Sequence, residues 1–137
     1  MTNFNGILSG IKVLDFSTLL PGPLATLFLA ETGAEVIKVE RPGIGDEMRS
    51  KSPEIEGTNV SFALLNRGKK SIEIDLKDKK SFKKIYPILK KTDVIVEQFR
   101  PGVMKRLGLD YESIKKFNQD IIYVSITGYG QYGPKSM

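Results

Sequence analysis

Three runs decide the fold class: Ile11-Lys12-Val13-Leu14-Asp15-Phe16; Pro21-Gly22-Pro23 followed by Leu24, Leu27 and Phe28; and Glu35-Val36-Ile37-Lys38-Val39-Glu40. The first alternates, favours β-structure and stops at Ser17-Thr18, so it predicts a strand. Leu24, Leu27 and Phe28 fall at helical spacing before Glu31-Thr32-Gly33, with Pro23 suited to the first turn and Gly33 to the C-terminal cap. The third run predicts a second strand after a tight connection. Strand, helix and strand within about 30 residues make a βαβ unit, whose strands are parallel and whose crossover is right-handed.

The pattern repeats downstream. Residues 41–57 are rich in Pro, Gly, Ser and charges without periodicity and predict a long loop. Residues 59–66 predict one or two helical turns ending at Asn66-Arg67-Gly68, and Ser71-Ile72-Glu73-Ile74-Asp75 predicts a third strand. From Lys77 to Lys91, Phe82, Ile85, Tyr86 and Leu89 share one helical face, in which Pro87 predicts a kink or an early end. Asp93-Val94-Ile95-Val96-Glu97 reads as a fourth strand. A short helix carrying Val103, Met104 and Leu107 follows and stops at Gly108, and Asp110 is placed to cap a helix from Tyr111 to Phe117. Residues 121–126 supply a fifth strand, and residues 127–137 are Gly-rich turn material. Strands alternating with helices predict an α/β fold with a doubly wound, mainly parallel sheet.

The chain has 137 residues, of which 40% are hydrophobic, which suits one ordinary domain with a sizeable core. It contains no Cys and no His, which excludes disulfides, thiol nucleophiles, Cys/His zinc sites and Ser-His-Asp chemistry within these residues. No apolar stretch reaches the ~18–20 residues of a membrane span and the N-terminus lacks a secretory pattern, so the expectation is a soluble, cytoplasmic protein with no membrane partner. Residues 1–66 hold 5 basic and 8 acidic side chains and residues 67–137 hold 16 and 8, giving −3 and +8. The basic half suits a phosphate-bearing partner, and a lysine-rich composition without functional cause gives the same balance.

Ligands of such sheets bind outside the carboxyl ends of the strands, which selects Leu19 to Gly22, Arg41, Lys77, Gln98 to Arg100 and Gly128 to Gly130. The sequence has neither a G-x-G-x-x-G fingerprint nor a Walker-type loop. Pro21-Gly22-Pro23 puts a helix N-terminus at the ligand edge, either to hold an anion or only to shape a tight connection. Arg41, Arg67, Lys69, Lys70, Lys77, Arg100, Lys105 and Arg106 lie in or near the connections, where several could meet phosphates and any one could simply be solvated. Phe99 could stack on a flat base or cap the core. Glu40 near Arg41, and Glu97 near Arg100, suggest ion pairs, and no matched catalytic acid and base can be named.

Several motifs resemble the class III (CaiB/BaiF) CoA-transferase family, which includes formyl-CoA transferase, carnitine CoA-transferase and 2-methylacyl-CoA racemase. They are residues 10–15, Pro21-Gly22-Pro23, residues 33–43, Gly45-Asp46, residues 66–72, Asp75-Leu76-Lys77, Phe99-Arg100-Pro101-Gly102-Val103 and residues 126–131. They run in order from about Leu8 to Pro134 and match the N-terminal third or so of a typical member. The resemblance implies a Rossmann-like domain over residues 1–137, with CoA lying across the strand ends as the substrate moiety and with no metal. By matched position Leu19 and Leu20 would border the adenosine or pantetheine end and Arg41 would meet a CoA phosphate. Ile74 and Lys77 would flank the adenine, Gln98 and Phe99 would line the cleft, and Arg106 would reach a phosphate.

The same resemblance implies acyl-CoA and carboxylic acid substrates and a catalytic Asp in transferases, or an acid/base pair with a His in racemases, expected beyond Met137. Transferases often carry Gln and Ala where this sequence has Leu20 and Pro21, and Pro-Gly-Pro resembles racemase-like members, whereas the long 41–57 loop fits transferases. The chain is therefore expected to be a fragment, inactive alone. Full-length members form interlocked homodimers; the fragment is expected to be a monomer or to self-associate weakly through exposed apolar surface. The rival readings are a stand-alone CoA or nucleotide-binding module and an RNA-binding protein using the basic half. The latter lacks an RRM-type signature, a KH loop and a basic helix, so no nucleic-acid partner is expected.

Overall fold

A computed structural model describes residues 6–136. Strand β1 (Lys12–Asp15) leads into helix α1 (Pro21–Glu31), then β2 (Glu35–Glu40), a 3-10 turn (Glu47–Ser50), and the short strands β3 (Glu54–Ile55) and β4 (Thr58–Asn59). Helix α2 (Val60–Asn66), β5 (Lys70–Glu73), α3 (Lys79–Leu89), β6 (Val94–Glu97), α4 (Val103–Leu107), α5 (Tyr111–Lys115) and β7 (Ile122–Ser125) complete the order. The main sheet runs β5-β2-β1-β6-β7 and every pairing in it is parallel, as the βαβ reading requires.

Alternation along the strands sends side chains to two helical layers. Leu14 and Ile95 join Ile85 and Leu89 of α3, Met104 of α4 and Ile114 of α5 in one cluster, while Val13, Val36 and Val96 meet Leu29 and Ala30 of α1 in the other. Fully burying each such side chain contributes about 1.5–3 kcal/mol. The side chain of Phe82 lies outside the described residues, but Ile85, Tyr86 and Leu89 occupy the expected face of α3. That helix ends at Leu89, two residues after Pro87. Its start is fixed by Asp78, whose carboxylate accepts the Lys80 and Ser81 N–H groups at 3.1 Å.

Three local readings change. Helix α1 starts at Pro21, so both prolines sit in its first turn. The loop after β2 carries a 3-10 turn, capped by Asp46, and a hairpin whose two central residues, Glu56 and Gly57, have φ of 51° and 74°. Positive φ at both positions is the two-residue hairpin geometry, and Glu-Gly is a weaker signal for it than Asn-Gly. Asp110 does precede α5, but its carboxylate accepts the Ser113 hydroxyl at 2.6 Å rather than a backbone N–H, and the helix stops at Lys115, short of Phe117.

Candidate functional site at the strand switch point

The chain leaves β1 toward β2 on one side, and β6 returns on the other, so a crevice opens at the carboxyl ends of β1 and β6. The two strand ends turn in the same way. The Asp15 carboxylate accepts the Ser17 N–H at 2.9 Å, and the Glu97 carboxylate accepts the Phe99 N–H at 2.8 Å. Gln98 then reaches across the crevice, where its Oε1 accepts the Gly22 N–H at 3.0 Å. A Cβ at Gly22 would lie 2.1 Å from the Cβ of Ser17, so only glycine lets α1 approach the β1 end this closely.

This geometry removes the anion-site reading of Pro21-Gly22-Pro23. Two of the first-turn residues are prolines without N–H groups, Gly22 donates to Gln98, and Leu24 donates to the Leu20 carbonyl at 2.9 Å. The turn shapes the connection and leaves no free N–H in the first turn of α1 to hold a phosphate.

Two adjoining clefts open there. One, of about 550 Å³, is lined by Arg41, Asp75, Ile74, Lys77 and Phe99 among others. The second, of about 860 Å³, is lined by Gln98, Phe99, Arg100, Arg106, Tyr129 and Lys135 among others, and Phe99 and Val103 form the wall between them. Six of the eight expected site residues thus come together around Phe99. Leu19 and Leu20 line neither cleft but form the lip of the β1–α1 connection. Leu19 has φ of 63°, a left-handed conformation unusual for a branched side chain, and Leu20 is 54% exposed.

The basic residues separate into groups that the sequence did not distinguish. Arg67 pairs with Glu31, and Lys70 donates to Glu35 at 2.7 Å; Lys70 and Glu35 begin their strands, so this pair lies at the amino edge, away from the clefts. Lys69 is buried beneath the β1 end and donates to Asp15 Oδ2 at 3.3 Å, the Pro23 carbonyl at 2.8 Å, Thr26 Oγ1 at 2.7 Å and Asn66 Oδ1 at 3.1 Å. Burial, and secondarily the Lys38 charge, push its ammonium below the ordinary lysine value in spite of Asp15.

Both suggested ion pairs are also replaced. Glu40 pairs with Arg49, not Arg41: its Oε2 and Oε1 accept Arg49 Nε and Nη2 at 2.7 Å each, and Ser71 and the Asp46 N–H add bonds of 2.6 and 2.8 Å. Burial alone would raise this carboxyl, but those donors hold it at about 2. Glu97, 2% exposed, takes the Phe99 N–H instead of Arg100. Lys38, unmarked in the sequence because it sits mid-strand among apolar residues, is 1% exposed, with its Nζ 2.7 Å from Asp46 Oδ2 and from the Ser17 carbonyl.

Comparison with known proteins places this geometry. The sequence pattern of CoA-transferase family III matches residues 8–137. The chain belongs to CoA-transferase family III. It is 49% identical over 130 residues to succinyl-CoA:glutarate CoA-transferase of Homo sapiens, covering 94% of this chain and 30% of that protein. Acetyl-CoA:oxalate CoA-transferase of Acetobacter aceti is 43% identical over 129 residues, with 94% and 33% covered. A CaiB/BaiF family protein from Brucella suis superposes with a TM-score of 0.90 at 39% identity, covering 96% of this chain and 36% of that one. The family III chain described here therefore spans 30–33% of the length of these two curated relatives. Within it, the motif around Asn66 and Lys69 is internal scaffold, and Gly45-Asp46 feeds a buried ion pair beside the crevice.

Proposed function

We propose that this chain is the CoA-binding part of a family III CoA-transferase, which moves CoA between an acyl-CoA and a carboxylic acid. The observation that carries the reading is the gathering of Arg41, Lys77 and Arg106 on the two clefts that share Phe99 at the strand switch point. A CoA diphosphate and ribose phosphate need cations at separated points, which two exposed Arg and one Lys on a rigid sheet edge provide. Phe99 and Ile74 offer apolar surface for a flat base, and Leu19 and Leu20 border the path of the remainder. The transferase-named relatives favour this branch over the racemase.

In this reading CoA enters as substrate, and the residues described here bind and orient it. The acyl chemistry runs through an Asp carboxylate outside the matched segment: it attacks the thioester carbon, expels CoA thiolate and forms a mixed anhydride. CoA thiolate then attacks the aspartyl carbonyl, releasing the first acid and leaving an aspartyl thioester for the acceptor acid to open. Asp15 and Asp46 are unsuited to that role because each is buried and already engaged, Asp15 by the Ser17 N–H and the Thr26 hydroxyl and Asp46 by the Leu19 and Met48 N–H groups and the Lys38 ammonium. Hence this chain alone is expected to bind without turning over. Among the described residues no helix is long and apolar enough to cross a membrane.

Titration calorimetry with CoA, acetyl-CoA and a single-stranded RNA tests this. CoA and acetyl-CoA are expected to bind alike, Arg41→Ala to weaken both by roughly 10- to 150-fold, and RNA to fail as a competitor; loss of one charged phosphate contact corresponds to ~1.5–3 kcal/mol. Salt-dependent RNA binding that CoA does not displace, or CoA affinity indifferent to Arg41→Ala and Arg106→Ala, would overturn the reading.

A further inference from the structure

We propose that Asp46 is a positioning residue for the crevice: it holds Leu19 in its left-handed conformation and thereby sets the lip of the β1–α1 connection. The inference rests on the CoA-binding reading for its functional readout only.

The connection from Ser17 to Leu20 is tied from beneath at two points. Lys38 Nζ donates to the Ser17 carbonyl at 2.7 Å, and the Leu19 N–H donates to Asp46 Oδ1 at 3.1 Å. Asp46 Oδ2 lies 2.7 Å from the same Lys38 Nζ, so a single buried ion pair grips the backbone on both sides of Thr18. Asp46 is itself fixed. Its Oδ1 also accepts the Met48 N–H at 2.9 Å, and its own N–H donates to Glu40 Oε2 at 2.8 Å, the oxygen that Arg49 binds. Arg49 in turn lies 3.8 Å above the Phe62 ring of α2. Its Nη2 bonds Glu40 Oε1, which Ser71 of β5 also binds, so the brace reaches two further elements.

A branched residue at φ of 63° persists only where its surroundings over-determine it, and such strain gathers at ligand clamps. Relaxation of Leu19 to a negative φ would redirect the chain into Leu20 and so disturb the Leu20 carbonyl, which accepts the Leu24 N–H, and the Gly22 N–H, which engages Gln98. Gly45, at φ of 71°, makes the arrangement possible: a Cβ there would stand 2.8 Å from Glu40 Oε2.

The test compares K38M/D46N with K38M/D46A. Neither carries the Lys38–Asp46 charge pair, so neither buries a lone ion, and the two differ in whether position 46 offers an acceptor to the Leu19 and Met48 N–H groups, so exchange at the Met48 amide is read beside that at Leu19 to separate the lip from the 3-10 turn. Hydrogen exchange at the Leu19 amide is measured without ligand, and CoA affinity by calorimetry, with circular dichroism as the check on folding. Exchange at Leu19 is expected to be at least tenfold faster, and CoA affinity about tenfold weaker, in the Ala member than in the Asn member. The single variants D46N and D46A repeat the comparison with Lys38 present. Equal Leu19 exchange in both members overturns the proposal, as does faster exchange with unchanged CoA affinity. If wild-type protein binds no CoA, the functional reading falls, while Leu19 exchange still judges whether Asp46 holds the lip.

Discussion

Replacing Lys69 by Met isolates the energetics of the scaffold under the crevice. Lys69 and Asp15 have side chains 1% and 0% exposed and form a buried ion pair. Because burial already drives the Lys69 ammonium below its ordinary value, the pair as a whole is not the source of stability. The loss on substitution comes from what is stranded: the Asp15 carboxylate, the Pro23 carbonyl and the Asn66 side chain. Breaking one side of a buried pair costs about 3–5 kcal/mol. Asp15 still accepts from the Ser17 N–H, the Ser17 hydroxyl and the Thr26 hydroxyl, which puts K69M at the lower end, ~3 kcal/mol. At roughly 3 °C per kcal/mol for a domain of this size, the midpoint should fall by about 9 °C. In D15N/K69M the stranded group is neutral, so about half of the loss should return, leaving the double variant ~1–2 kcal/mol more stable than K69M. Urea unfolding followed by far-UV circular dichroism, with scanning calorimetry beside it, reads both quantities. A K69M protein within ~0.5 kcal/mol of wild type, or a double variant less stable than K69M, would refute the reasoning about a stranded carboxylate.

Further outcomes follow from other parts of the structure. Glu40 has a folded pKa of about 2 against an ordinary 4.5, so its contribution is fully present above pH 4.5 and is lost as the pH falls toward 2. Urea midpoints of E40Q should therefore lie below wild type at pH 7 and converge with it on acidification; a constant gap would contradict the sign. The Tyr123 hydroxyl donates to the Leu109 carbonyl at 3.1 Å, and burial, then Glu97 and Asp110, push its phenol above the ordinary value. Its absorbance change at high pH should appear only with unfolding, and Y123F should remove that late component. Helix α1 has no charged residue before Glu31 and exposes Leu24 and Phe28, the latter by 58%, beside exposed Val60 and Leu64 of α2. Sedimentation equilibrium should detect weak self-association that L24E/F28E abolishes; equal association by the variant would move the contact elsewhere, such as Ile122 and Val124 on the edge strand β7.

Periodicity alone determined the parallel α/β sheet, because an alternating Val13 to Asp15 or a run such as Val36 to Glu40 reports local geometry that any compact arrangement of this chain must respect. The strand-end rule likewise selected Arg41, Lys77, Gln98 and Phe99, since a strand's carboxyl end is visible in one dimension. Charge partners were not visible in the same way. Glu40 bonds Arg49 rather than adjacent Arg41, and Asp15 meets Lys69 across 54 positions, because sheet order, not sequence proximity, brings the end of β1 beneath the α2–β5 connection. Lys38 and Asp46 pair for the same reason: a lysine in an apolar strand has no local mark of burial, and its partner arrives from a loop without periodicity. Local sterics and hydrophobic spacing thus wrote the elements into the sequence, while desolvation, which depends on everything that surrounds a charge, was decided only when those elements packed.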